Sequence, residues 1–310
     1  MAKRIVFVDC NDQLQRVFDD VSPRYAARVE VNRQAFTSAD LPRLLEGCSI
    51  CIDDHSYMPT EMVARCPSLS HIVFLGTGPQ SYMDLEALAK LGVTVHAIRN
   101  YGDTAVAEHA IALMFAAARD LAAMDREIRS GLWRPREGVE LKGKRLGIVG
   151  LGGIGAEAAR MGLGLGMEVV GWSRTPRPQS PVKQIPIDDL LKTADVVSLH
   201  LALTPETKGF LSRERLALMK PGAILINTAR GALVDEAALI EALNEGRLRR
   251  AGLDVFALEP LKKDHPLAAH EAVTLSAHSG FRTYEASVTL LTRALDIVQR
   301  LAEEAASARA

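Results

Sequence analysis

Apolar residues along the chain fall into short continuous runs separated by longer stretches in which they recur every three to four positions. Short runs predict strands and the wider spacing predicts helices, because side chains alternate across a strand but return to one helix face about every 3.6 residues. In the first third the runs are Ile5–Val8, Val29–Val31, Ser49–Ile52, His71–Phe74 and Thr94–His96, most of them separated by helical segments rich in Leu and Ala. A long helix is predicted over Thr104–Arg129, where Val106, Ala110, Leu113, Met114 and Ala117 share one broad apolar face and Gly131 and Pro135 follow as terminators. A second series of strands is predicted at Arg145–Val149, Glu168–Trp172, Val196–Leu199, Ala223–Asn227, Arg250–Leu253 and Val273–Ser276, with a last helix over Tyr284–Glu304.

Strand–helix alternation from end to end predicts an α/β fold with parallel sheets. We read two doubly wound, Rossmann-like domains with the active site in the cleft between them. Residues 1–98, rejoined by 283–310 as the last helix returns to pack on them, make the substrate (catalytic) domain, and residues 99–282 the dinucleotide-binding domain. There is no internal repeat, and the TPRPQSP segment around residue 178 reads as a surface loop.

Composition changes this picture little. The 310 residues are 48% hydrophobic and 24% charged, the balance of an ordinary globular chain. A net charge of −1 supplies no field toward nucleic acid or membrane, and no apolar run approaches the ~18 residues of a spanning helix. MAKRIVFVDC leads straight into a strand, so the expected location is cytoplasmic. Cys48 and Cys51 form a CxxC, but on a strand residues three apart point to opposite faces. The expectation is therefore divergent, buried, reduced thiols, with no metal.

Two regions carry chemistry. Gly150-Leu151-Gly152-Gly153-Ile154-Gly155 is a GxGxxG that follows the apolar run RLGIV and opens a helix. Gly150 allows the tight turn, Gly152 lets the backbone approach a pyrophosphate, and Gly155 lets the helix press on the strand, while the helix N-terminus favours phosphate. The next strand ends at Trp172 and is followed by Ser173 and Arg174, with Arg177 slightly later, where an NAD site normally holds a carboxylate for the ribose. A hydroxyl and a guanidinium favour a 2′-phosphate instead, so NADP(H) is the expected cofactor, with NAD as the alternative.

The segments INTARGALVDEAAL (226–239), AGLDVFALEP (251–260) and LSAHSG (275–280) supply Arg230, Glu259 and His278. Arg230 offers a fork-shaped cation for a substrate carboxylate and carbonyl, His278 an acid–base, and Glu259 an acceptor for the other ring nitrogen of the histidine. Together with the GLGGIG turn and the LTPET run (203–207), these segments resemble the D-isomer-specific 2-hydroxyacid dehydrogenases, of the glyoxylate/hydroxypyruvate reductase kind, over nearly the whole chain. The resemblance implies the same roles for Arg230, Glu259 and His278. It also implies that Thr228, Ala229 and Arg230 lie along the cofactor with His278 and Gly280, that Asp254 contacts the nicotinamide carboxamide, and that two copies pair through the region Thr104–Arg129.

Toward the substrate, the strand ending at Phe74 and Leu75 runs into Gly76-Thr77-Gly78, a turn whose free amides suit a carboxylate, as a similar turn does in the family. The chain departs from the family pattern in GTGPQSYMD after that strand, in Asp53-Asp54-His55-Ser56-Tyr57, where relatives often carry a basic residue, and at Gly102. The expected reaction is hydride transfer between NADP(H) and a small D-2-hydroxy acid or 2-keto acid, glyoxylate or hydroxypyruvate first. The alternatives are a NAD-dependent dehydrogenase of another 2-hydroxy acid and a dinucleotide-sensing protein like the C-terminal-binding corepressors, which share the fold without relying on turnover.

Overall fold

The structure, a computed structural model, describes residues 4–307; the outermost positions of the first expected domain, 1–3 and 308–310, lie outside them. The chain forms two compact units, the first running to Gly102 and resuming at Thr283, the second spanning Asp103–Arg282. The first crossing thus falls a few residues after the expected position 98.

In the first unit, five strands, β1 (Arg4–Phe7), β2 (Glu30–Val31), β3 (Cys48–Asp53), β4 (His71–Phe74) and β5 (Thr94–Ala97), form one parallel sheet in the order β2-β1-β3-β4-β5. The long helix Tyr284–Ser307 and the helix Asp12–Val21 cover one face, where Leu290, Leu291, Leu295 and Val298 pack with Phe7, Phe18, Ile50 and Ile52. Cys48, Cys51 and Cys66 pack on the other face with Ile72, Phe74 and Leu88.

That arrangement corrects the reading of the CxxC. Pairing with β1 steps from Arg4↔Cys48 to Ile5↔Ile50, so Ser49 is an extra residue that resets the alternation. Cys48 and Cys51 therefore share a face. All four cysteines are free and buried, and burial pushes the Cys48 thiol up to about 11 and that of Cys51 well above its ordinary value.

The second unit holds β6 (Arg145–Val149), β7 (Glu168–Trp172), β8 (Lys183–Gln184), β9 (Val196–Leu199), β10 (Ala223–Asn227), β11 (Leu248–Leu253) and β12 (Val273–Leu275). They form a parallel sheet in the order β12-β11-β10-β9-β6-β7-β8. Every strand pair is parallel. Such strands are covered on both faces, which is why they read as unbroken apolar runs. The order reverses between β6 and β9, so ligands are expected beyond the C-terminal ends of those strands.

The expected long helix is two, Asp103–Ala118 and Leu121–Arg129. The break is at Asp120, in a left-handed conformation (φ 54°), whose carboxylate is paired with the Arg250 guanidinium of β11. Periodicity could not show this break, because apolar spacing continues through it while the ion pair comes from a residue far along the chain. The first of these helices packs on β10, β11 and the helix Gly153–Gly164. Beyond it Leu121, Ile128, Leu132 and Trp133 are exposed, Trp133 at 83%. No helix among the described residues is long and apolar enough to cross a membrane.

Candidate active site

β6 feeds directly into the glycine turn. Gly150 has φ 103°, and a side chain there would strike the His200 carbonyl, so the turn is closed to other residues. Gly155 sits on the Gly150 carbonyl, which draws the helix Gly153–Gly164 onto the strand end. Gly152 caps that helix without a side-chain hydrogen bond, and the space above it is open. Ile154 is half-buried against the core beneath. Across the sheet, Thr228 is buried just past β10 and its hydroxyl has no partner among the described residues. Open space at Gly152, where the backbone can be approached closely, and an orphaned buried hydroxyl at the same end of the sheet fit a dinucleotide. Ser173 and Arg174 follow β7 immediately, Ser173 half-buried and Arg174 exposed.

Arg230, Glu259 and His278 come off three adjacent strands, β10, β11 and β12, all beyond their C-terminal ends. One turn and one close backbone approach set their loops. Asn227, the last residue of β10, accepts from the Ala229 amide at 3.0 Å and donates to the Arg230 carbonyl at 2.9 Å, folding Thr228–Arg230 back on itself. Gly231 then passes so near the Phe256 carbonyl that any side chain would collide with it, locking the arginine loop to the loop that carries Glu259. Within the second loop, Glu259 Oε1 accepts from the Phe256 amide at 2.9 Å and Oε2 from His278 Nδ1 at 2.7 Å. Burial alone would disfavour the Glu259 charge, but the bonds from His278 and Phe256, with the Arg230 charge nearby, hold the carboxyl below its usual range. Because the ionised carboxylate can only accept, His278 donates from Nδ1 and keeps Nε2 for exchange with a ligand.

Asp254, one residue past β11, is 1% exposed and organises the His278 loop. Its carboxylate accepts from the Ser276 hydroxyl at 2.6 Å and from the amides of Ser279 and Gly280 at 2.9 Å each, and its carbonyl accepts from the His278 amide at 2.8 Å. Against the cost of burial, the bonds to the carboxylate from His109, Ser276 and the amides of Ser279 and Gly280 hold Asp254 ionised far below its ordinary range.

Residues 111–280 match the model of the D-isomer specific 2-hydroxyacid dehydrogenase, NAD binding domain. That is more than half of the chain. The chain belongs to the D-isomer specific 2-hydroxyacid dehydrogenase family. Among its relatives, glyoxylate reductase of Thermococcus litoralis is 40% identical over 239 residues, covering 73% of this chain and 72% of that protein. D-3-phosphoglycerate dehydrogenase of Mycobacterium tuberculosis is 38% identical over 247 residues, which cover 78% of this chain but only 46% of the relative. The chain thus spans about half the length of those curated relatives. A solved acyclic imino acid reductase in complex with NADPH and D-Arg superposes with a TM-score of 0.84 at 29% identity, covering 97% of each chain.

In the first unit of this 2-hydroxyacid dehydrogenase family member, Gly76, Thr77 and Gly78 follow β4 as expected, but the Gly76 amide is not free. It donates to the Phe74 carbonyl at 2.9 Å, leaving Thr77 and Gly78 to present theirs. The departing segment after the turn folds as a short 3-10 helix, Pro79–Ser81, before Asp84 caps the helix Leu85–Lys90. Asp53 and Asp54 are both buried, at 0% and 8% exposure, so neither presents a bare charge. The group left half-exposed is His55, bonded to Asp54 at 2.8 Å and flanked by the rings of Phe74 and Tyr82.

Sequence reasoning passed over Asn227, Ser276 and His109. Asn227 and Ser276 lie inside the quoted segments but carry no motif signal of their own. His109 sits in the middle of an apolar helix, and only the fold brings it to Asp254.

Proposed function

We propose that this protein reduces a small 2-keto acid, glyoxylate or hydroxypyruvate, to the D-2-hydroxy acid. The observation that carries the reading is the Glu259–His278 hydrogen bond at 2.7 Å beside Arg230. When bound, the reduced dinucleotide supplies the hydride. Arg230 binds the carboxylate and polarises the carbonyl, and the guanidinium fork fixes the orientation of the keto acid. His278 gives its Nε2 proton to the carbonyl oxygen, and Glu259 offsets the charge of the imidazolium that donates it. Thr77 and Gly78 lend their amides to the substrate carboxylate.

NADP(H) is the preferred cofactor in this reading. Ser173 and Arg174 offer a hydroxyl and a cation to a 2′-phosphate, and neither residue is a carboxylate that would accept from a free ribose hydroxyl. Glu206 feels the Arg174 charge, but its carboxylate is held first by the Thr204 hydroxyl at 2.6 Å. The exposed Leu121, Ile128, Leu132 and Trp133 support pairing of two copies through this region, a homodimer.

The deciding experiment is a spectrophotometric panel of 2-keto acids run with both reduced cofactors. Glyoxylate or hydroxypyruvate turned over with NADPH at a kcat/KM at least ~10-fold above NADH bears the reading out. Turnover with NADH alone removes the Ser173–Arg174 argument, and absence of turnover with every acid removes the dehydrogenase.

A further inference from the structure

We propose that His109 is a positioning residue for His278, acting through Ser276 and Asp254. It lies in the helix Asp103–Ala118, and its Nε2 is 2.9 Å from Ser276 Oγ and 3.3 Å from Asp254 Oδ1. The proposal rests on the reading of His278 as the acid–base.

The direction of each bond follows from counting hydrogens. Ser276 has one hydroxyl hydrogen, and it is spent on Asp254 Oδ1 at 2.6 Å. The Ser276 oxygen can then only accept from His109, and the Asp254 carboxylate can only accept as well. Nε2 of His109 therefore carries a hydrogen whatever the state of Nδ1, so the ring is a fixed donor to the pair.

What that donor steadies is the loop Ser276–Gly280. Its hold on Asp254 runs through the Ser276 hydroxyl, the Ser279 and Gly280 amides and the His278 amide. His278 itself has φ 48°, a left-handed backbone that residues other than glycine adopt uncommonly. A loop holding such a residue needs restraint from outside itself. Asp254 supplies it from β11 and His109 from the helix. Gly280 completes the packing, since a Cβ there would lie 3.2 Å from Asp254 Oδ2 and 3.5 Å from the His109 ring. A shift of this loop moves His278 relative to Glu259, and errors of about 1 Å in a reacting group cost as much as ~10²-fold.

The test compares His109→Gln, which keeps a donor at the Nε2 position, with His109→Asn, which moves it back to the Nδ1 position, and His109→Leu, which removes it. Three quantities are measured on the whole protein: kcat with its pH profile, the NADPH dissociation constant by calorimetry, and the titration of the His278 ring by NMR. Expected are a kcat at least ~10-fold lower in the Leu and Asn variants, a displaced pH limb, and recovery of most of the loss in the Gln variant, with the NADPH dissociation constant little changed. The His278 titration should move in the Leu and Asn variants and stay in place in the Gln variant. That readout needs no turnover, so it decides the proposal even if no 2-keto acid proves to be a substrate. An unmoved titration in His109→Leu, or a Gln variant as disturbed as Leu, overturns it.

Discussion

The carboxylate of Asp103 lies directly against the Cα of Gly153, filling the space that any side chain at 153 would need. Asp103 opens one helix and Gly153 the next in sequence after β6, and the two helices pack along each other. A negative group at that helix start is favourable in itself, because the first turn presents partial positive charge. The fourth residue of the glycine turn is thus set by a neighbour as well as by the phosphate it is read to bind.

Gly153→Ala should therefore raise the NADPH dissociation constant by roughly 10-fold or more, because overpacking of about 1–3 kcal/mol must be relieved by moving the turn. Adding Asp103→Ala to that variant should recover most of the affinity by removing the obstructing carboxylate. Calorimetric titration checks both. Wild-type binding in the single variant, or no recovery in the double, would show that Asp103 does not constrain the turn.

Glu259→Gln keeps the shape of the side chain but loses the charge that faces His278. Since the carboxyl is held below its usual range, the wild-type protein has that charge throughout the neutral region. The variant should lose ~10²-fold in kcat and lose activity at lower pH than the wild type as pH rises, because the protonated donor has no counter-charge. The pH–rate profile is the measurement, and an unchanged profile would make Glu259 structural.

For Arg230, the fork matters more than the charge. One of its terminal nitrogens already donates to the Ala229 carbonyl at 2.7 Å, which orients the rest of the group. Arg230→Lys should lower kcat/KM for the keto acid about 10- to 100-fold, the worth of one charge-assisted hydrogen bond of about 1.5–3 kcal/mol. Steady-state kinetics with full activity in the lysine variant would refute a two-pronged contact.

Asp53 offers a pH dependence of stability. Burial first, then the charge of Asp9 and a hydrogen bond to it, push its carboxyl well above the ordinary range. The folded state therefore holds a proton that the unfolded chain releases at about pH 4, so stability falls as pH rises from there through the folded-state value. Asp53→Asn removes the dependence while keeping a donor toward Asp9. Its thermal midpoint should match the wild type near pH 4 and exceed it increasingly at about pH 6 and 8. Equal midpoints at all three would show that Asp53 is not held protonated.

Much of this protein could be read from its residues in order. The strands β6, β7, β9 and β10 were delimited to the residue, because parallel strands buried on both faces leave unbroken apolar runs. The glycine turn and the placement of Arg230, Glu259 and His278 beyond neighbouring strand ends were legible, because the chemistry proposed for them requires particular residue types there. Other features depend on partners distant in sequence, which no local pattern records. Pairing with β1 inserts Ser49 as a bulge and turns Cys48 and Cys51 to one face. Asp120, left-handed and paired with Arg250, divides a helix whose apolar spacing runs on. Burial hides Asp53 and Asp54 and leaves His55 half-exposed. His109 reaches Ser276, 167 residues away, only when a helix is laid across the sheet. Local sequence determines conformations and reactive groups, whereas hydrogen-bond partners and burial are set by packing among segments far apart in the chain.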